Sequence, residues 1–294
     1  MQILLIALFL SVILGSFSAN VQERGRGAFR RHPRAVWAVP ALLTLLFAVV
    51  LAAARAWSGA FLALAALYVF VPTAFVYAAR RRGGQRSSWL ELAAILALWL
   101  PLEFAVGRDL LPRTAWNVAN VTARGASITL ALALFLLFAG WKGMKYNLPR
   151  AWTDLAYPAL GFVLVAPVLA VLGLWLGYMG PWREPLYSAG GFALVWTKTL
   201  LGVALPEELL FRALVQNWLM ERFGFTHASL AAAALVFGAS HLNNPPGPAP
   251  NWRYMILATI AGFVFGKVYW KSNTILSSAA LHATVNTVRH AFFR

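Results

Sequence analysis

The sequence predicts an all-α, polytopic integral membrane protein, and three observations carry that reading. Hydrophobic residues make up 61% of the 294 and charged residues 12%, about half the charged share of a soluble domain. Mean hydropathy is +0.68, and a soluble chain of this size would have to leave much of that apolar side chain on its surface. The apolar residues also fall into long runs separated by short loops. At roughly 20 residues per spanning helix, the length accommodates about 8–11 transmembrane helices. A soluble globular enzyme, a disordered chain, collagen and a coiled coil each require a different composition.

The net charge is +16, from 25 Lys and Arg against 9 Asp and Glu. The arginines cluster in short loops between apolar runs. There they orient the chain and meet anionic lipid, so the bilayer rather than nucleic acid is the expected partner. The chain has no cysteine. That excludes disulfides, thiol nucleophiles and cysteine-based metal sites.

The first apolar run is Met1–Ala19. No basic residue precedes it, and Arg24, Arg26, Arg30, Arg31 and Arg34 follow it. A cleaved signal peptide has the reverse charge order. The run therefore reads as a first span with its N-terminus outside and the basic loop in the cytoplasm. Further spans are expected at Val36–Ala54, Trp57–Ala79, Ser88–Val106, Ala126–Gly140 and Leu155–Met179. Arg80, Arg81, Arg82 and Arg86 mark a second cytoplasmic loop, and Lys142, Lys145 and Arg150 a third. Arg108, Arg113 and Arg124, in the intervening loops, weaken the contrast. Glu91 and Glu103 are single acids within a span and read as packing or interface residues. No repeat and no long hydrophilic domain appears. Residues 1–186 are N-terminal transmembrane helices to which the sequence assigns no role, and 187–294 form a second part of different character.

The second half differs. After the apolar run Gly190–Leu205 comes Pro206-Glu207-Glu208-Leu-Leu-Phe-Arg212, then apolar sequence to Met220. An ionisable residue inside a membrane segment is costly, and function is its default explanation. Pro206 suits the first position of a helix, which puts both glutamates in the first turn. Glu208 and Arg212 are four apart on one face and can pair. Glu207 points about 100° away around the helix and is free to act. Gly190–Leu205 and Pro206–Met220 then read as separate spans or one broken span.

The run Ala228–His241 ends in Phe237-Gly-Ala-Ser-His241, before a polar, proline-rich loop at Asn243–Asn251. Tyr254–Trp270 carries Gly262 and Gly266, a small-residue face for close helix packing. Thr274–His290 carries His282 and Asn286, four apart and on one face. If Phe223–His227 is a turn, the helices on either side form an antiparallel hairpin with Glu207 and His241 at one membrane level. The alternative keeps the chain cytoplasmic until Ala228 and holds them a membrane thickness apart. Arg222, Lys267 and Lys271 mildly favour the alternative. The hairpin is preferred because two isolated polar residues in lipid are better explained if they meet.

Several membrane chemistries can be compared. The zinc-protease pattern His-Glu-x-x-His is absent, and the two aspartates, Asp109 and Asp154, lie in expected loops rather than in spans. Gly238-Ala-Ser240 with His282 is similar to a rhomboid serine site. However, His241 stands where rhomboids carry glycine, and that reading leaves Glu207, Glu208 and Arg212 unexplained. A proton-relay transporter is a further alternative, but it lacks paired broken helices in matching halves.

Glu207-Glu208-x-x-x-Arg212, Phe237-x-x-x-His241 and His282-x-x-x-Asn286 resemble, in order, the three motifs of the CPBP family. That family comprises the CAAX prenyl endopeptidases of Ras-converting-enzyme type and bacteriocin-processing or immunity proteins. The run Gly-Phe-Val-Phe-Gly-Lys-Val-Tyr at 262–269 is similar as well, so the resemblance covers about residues 190–290. It implies a glutamate-type intramembrane protease that cuts a membrane-anchored protein or peptide. Glu207 with His241 would activate water, His282 and Asn286 would form the oxyanion hole, and Glu208 with Arg212 would support the site. No cofactor is needed on that reading. The metal-dependent alternative would give zinc the one-carboxylate, two-histidine set Glu207, His241 and His282, but leaves Asn286 without a task. A non-catalytic immunity or scaffold protein that retains the motifs is the rival from another class. The Arg-, Ala- and Leu-rich composition points to a GC-rich bacterium. The expected location is its inner membrane, with the active site near the cytoplasmic side.

Overall fold

A computed structural model describes residues 1–83, 87–244 and 249–293. Arg86 and the centre of the 243–251 loop, both singled out above, lie outside the described residues. The described residues are almost all helical or in turns, with no strand among them. Contacts divide the chain into two compact units, Met1–Lys142 and Gly143–Arg294. The boundary after residue 186 followed the motifs, whereas contact divides the chain earlier, after Lys142.

The first unit contains α1 (Gln2–Gly15), α2 (Ala19–Arg31), a 3-10 turn Pro33–Trp37 leading into α3 (Ala38–Ala53), α4 (Gly59–Arg81), α5 (Trp89–Glu103) and α6 (Arg113–Phe138). The expected span Met1–Ala19 is therefore shorter, because the chain bends by 89° between α1 and α2. The expected span Ala126–Gly140 begins earlier. Arg113 and Arg124, expected in a loop, lie in the N-terminal half of α6. Its register there is amphipathic, with Ala115, Ala119 and Thr122 buried and Arg124 outward. Glu91 has a packing role: it completes a capping box with Ser88 at the start of α5 and accepts from Trp141 Nε1 at 3.1 Å. Glu103 accepts from Trp99 Nε1 at 3.1 Å.

The second unit contains α7 (Thr153–Trp175), α8 (Ala189–Phe223), α9 (His227–Ala239), α10 (Trp252–Lys271) and α11 (Ile275–Phe292). Asp154, expected in a loop, is buried in the first turn of α7. It accepts from the N–H groups of Arg150 (2.9 Å), Ala151 (3.1 Å) and Asn273 (2.7 Å). Those bonds join the start of α7 to the turn before α11. Lys145 is drawn inward as well. Its Nζ donates to the carbonyls of Tyr269, Trp270 and Ser272 at 2.8–3.0 Å, satisfying acceptors that the end of α10 leaves open. Residues 143–154 therefore form part of the scaffold that orients α11.

Among the described residues, five helices are long and apolar enough to cross a membrane: Pro33–Ala53, Gly59–Arg81, Arg113–Phe138, Thr153–Trp175 and Ala189–Phe223. The bent α1–α2 pair makes a sixth if it counts as one span. The molecule is an all-α polytopic membrane protein; its length accommodates about 8–11 spans, and five or six helices among the described residues meet the length and apolarity of a span.

Helix α8 corrects a further expectation. Gly190–Leu205 and Pro206–Met220 are neither separate nor broken; Ala189–Phe223 is one helical span. Pro206 lies inside it rather than at its start. A proline in an α-helix lacks a donor and presses its ring on the carbonyl four residues back. Here the turns at Leu200–Ala204 and Leu209–Gln216 are π-helical, and that wider winding accommodates an imino acid between them.

Candidate active site

Helix α8 ends at Phe223, Gly224 turns the chain with φ at 98°, and α9 runs back from His227. This is the expected hairpin. Arg212 on α8 lies against Phe237 on α9, with its Cζ 4.6 Å from the ring centroid. One turn further along each helix stand Glu208 and His241. The third contributor is α11, which carries His282 and Asn286.

Glu208 and Arg212 are both fully buried, and Oε2 of Glu208 lies 3.1 Å from Nε of Arg212. The pairing expected from their spacing is thus present. Glu208 also does something the spacing does not foretell: its Oε1 lies 3.1 Å from Nδ1 of His282. A carboxylate can only accept, so Nδ1 carries the proton. His282 Nε2 faces the other glutamate, 3.8 Å from Glu207 Oε2. The imidazole is held from a third side by Phe265, stacked at 4.8 Å and 23°, and Phe237 meets it edge-on at 5.8 Å.

Glu207 is a third exposed where Glu208 is fully buried. The two adjacent acids therefore have different surroundings, as their angular separation implies. His241 is buried at the end of α9. Its Nδ1 lies 2.8 Å from the Phe237 carbonyl, an acceptor, so Nδ1 bears the proton and Nε2 keeps its lone pair. Its ring packs edge-on against Tyr254 at 4.5 Å. Ser240 Oγ donates to the Phe237 carbonyl at 2.7 Å, which ends its helix and is no nucleophile pairing with His282.

His241, His282 and Asn286 line one cavity. Its wall is otherwise apolar, from Phe162, Ala166 and Leu169 of α7 and Leu257, Ala258 and Ala261 of α10. Tyr178, Tyr254 and Arg289 close its polar side, and Arg289 Cζ rests 4.7 Å over the Tyr178 ring. Sequence reasoning missed this trio, as well as Phe265. Arg289 does fall three residues after Asn286, on the same face of α11, which is a readable signal.

Among the described residues, no group of three His, Asp or Glu side chains is arranged to hold a metal ion. His282 gives Nδ1–H to Glu208, which leaves Nε2 as the ring atom turned toward Glu207.

The class defined by fold and site is thus a polytopic helical membrane protein with a polar constellation at the meeting of three helices. Residues 189–288, about a third of the chain, match the family model described as Type II CAAX prenyl endopeptidase Rce1-like. The match contains all six residues singled out by the motifs. No curated protein and no solved structure matches the chain.

Proposed function

We propose that the protein is an intramembrane endopeptidase that hydrolyses a peptide bond in a membrane-anchored protein or peptide without a bound cofactor. The observation that supports this best is the 3.8 Å approach of the partly exposed Glu207 to His282, whose ring is oriented by Glu208 and lines an apolar cavity together with His241 and Asn286. In the reaction, water attacks the scissile carbonyl carbon while Glu207, aided by His241, takes its proton. The carbonyl oxygen becomes an oxyanion, which the Asn286 amide and His282 Nε2 stabilise. The C–N bond then breaks, and the proton held by Glu207 passes to the leaving amine. Because His282 gives Nδ1–H to Glu208, its Nε2 can donate only when the ring carries both protons. Glu208 is then the counter-ion of that imidazolium, and Arg212 neutralises and fixes Glu208.

The test is cellular. Wild type, Glu207→Gln and the distant control Glu23→Gln are expressed at matched levels, and protein termini in the membrane fraction are compared. Termini lost only with Glu207→Gln establish proteolysis and name the substrate. Identical termini in all three samples, with each protein folded, would replace catalysis by the scaffold reading. The location proposed is a bacterial inner membrane with the site near the cytoplasmic side, following the distribution of basic loops.

A further inference from the structure

The N-terminal unit carries a basic cavity that the proteolytic chemistry does not use. Arg31 ends α2, Arg34 stands in the turn that opens α3, and Arg80 and Arg81 end α4. With His32 they line one cavity, backed by Tyr77 and Phe138. Among the described residues no Asp or Glu lines it.

Three features set this cluster apart from an ordinary solvated charged face. The first is its level. The candidate span Pro33–Ala53 begins at the cavity and Gly59–Arg81 ends there. Where apolar helices give way to arginine, the bilayer gives way to its headgroups. The second is order. The Tyr77 and Phe138 rings stack 6.0 Å apart at 10°. Arg80 lies 4.8 Å over the Phe138 ring, and Arg81 5.9 Å from the centroid of Tyr77. A guanidinium laid on an aromatic face keeps its N–H edge free to donate. The third is the balance of charge. The C-termini of α2 and α4 add about −0.5 charge each, which four guanidiniums exceed.

We propose that this cavity binds the phosphate headgroup of an anionic phospholipid. Planar guanidinium donors, absence of a competing carboxylate and membrane level together match a phosphate diester anchored by acyl chains.

The test uses the full chain purified in detergent, with binding read by native mass spectrometry and by the shift in melting temperature. The probes are phosphatidylglycerol, phosphatidylcholine and inorganic phosphate. The site variant is Arg31→Gln/Arg34→Gln/Arg80→Gln/Arg81→Gln. A control of equal charge change is Arg55→Gln/Arg108→Gln/Arg113→Gln/Arg124→Gln, all exposed and outside the cavity. The expected result is a preference of wild type for phosphatidylglycerol, reduced at least about tenfold in the site variant and less than about twofold in the control. Should the quadruple site variant not fold, Arg34→Gln/Arg80→Gln is expected to show the same contrast with Arg108→Gln/Arg124→Gln. Equal losses in site and control variants would reduce the effect to bulk charge and overturn the proposal. So would no loss in either, or equal stabilisation by inorganic phosphate alone.

Discussion

His282 and Arg212 do not touch through each other; they are held by the two oxygens of one buried carboxylate, Glu208, each at 3.1 Å. The residue that supports the site thus connects a buried arginine to one of its imidazoles. Removing one partner of a buried ion pair costs about 3–5 kcal/mol, because the remaining charge is left uncompensated. Glu208→Gln is therefore expected to lower the unfolding midpoint in detergent clearly. Glu208→Gln combined with Arg212→Met is expected to recover most of that loss while cleavage stays absent, since His282 has lost its counter-ion. Recovery of cleavage along with stability would show that Glu208 acts only as packing.

Glu207 is expected to behave in the opposite way. It is a third exposed, and its Oε2 lies 3.8 Å from His282 Nε2. Glu207→Gln keeps the shape and removes the base. Cleavage should fall about 10²–10⁴-fold, the usual contribution of general-base catalysis, with little change in the unfolding midpoint. A variant that unfolds as readily as Glu208→Gln would contradict the division of labour between the two acids.

Asn286 offers a neutral donor on the cavity wall. Loss of one oxyanion donor typically costs about 10²–10³-fold in kcat. Asn286→Ala is expected to show that loss with KM nearly unchanged, because the interaction is made in the transition state. Asn286→Asp should do no better, since it puts an acceptor where a donor is required. A rise in KM with kcat preserved would make Asn286 a substrate-binding group instead.

The motifs were legible because ionisable side chains are rare in apolar sequence: Glu207, Glu208, Arg212, His241 and His282 each stand out against leucine and alanine. Spacing by four gave the Glu208–Arg212 pair and the common face of His282 and Asn286. Spacing could not give the bond from Glu208 to His282, which joins residues 74 apart in the chain. Nor could it give the stacking of Phe265 on His282, since phenylalanine is unremarkable in a span. Pro206 was misread for a local reason. It suits a helix start, yet here the helix continues through it, with π-helical turns on either side. Asp154 resembled a loop acid until the 272–274 turn came to its side chain. The fold class was legible from composition, because apolar runs of spanning length leave a chain no soluble alternative.

Gly238 provides a test of how closely α9 and α10 must approach. A Cβ at that position would lie 1.9 Å from Thr259 Oγ1 and 2.8 Å from the Met255 carbonyl oxygen. Thr259 is itself committed, donating to that same carbonyl at 2.8 Å. A side chain can rotate away, but a helix carbonyl cannot, so Gly238→Ala must push the two helices apart. Overpacking of this kind costs about 1–3 kcal/mol. The displacement also reaches the site, because Gly238 lies between Phe237, whose carbonyl fixes the His241 tautomer, and His241 itself. Gly238→Ala is expected to lower both the unfolding midpoint and cleavage, and Gly238→Ala combined with Thr259→Ala to restore only part of each. Full restoration by Thr259→Ala would mean that the threonine, and not the backbone of α10, sets the distance between these helices.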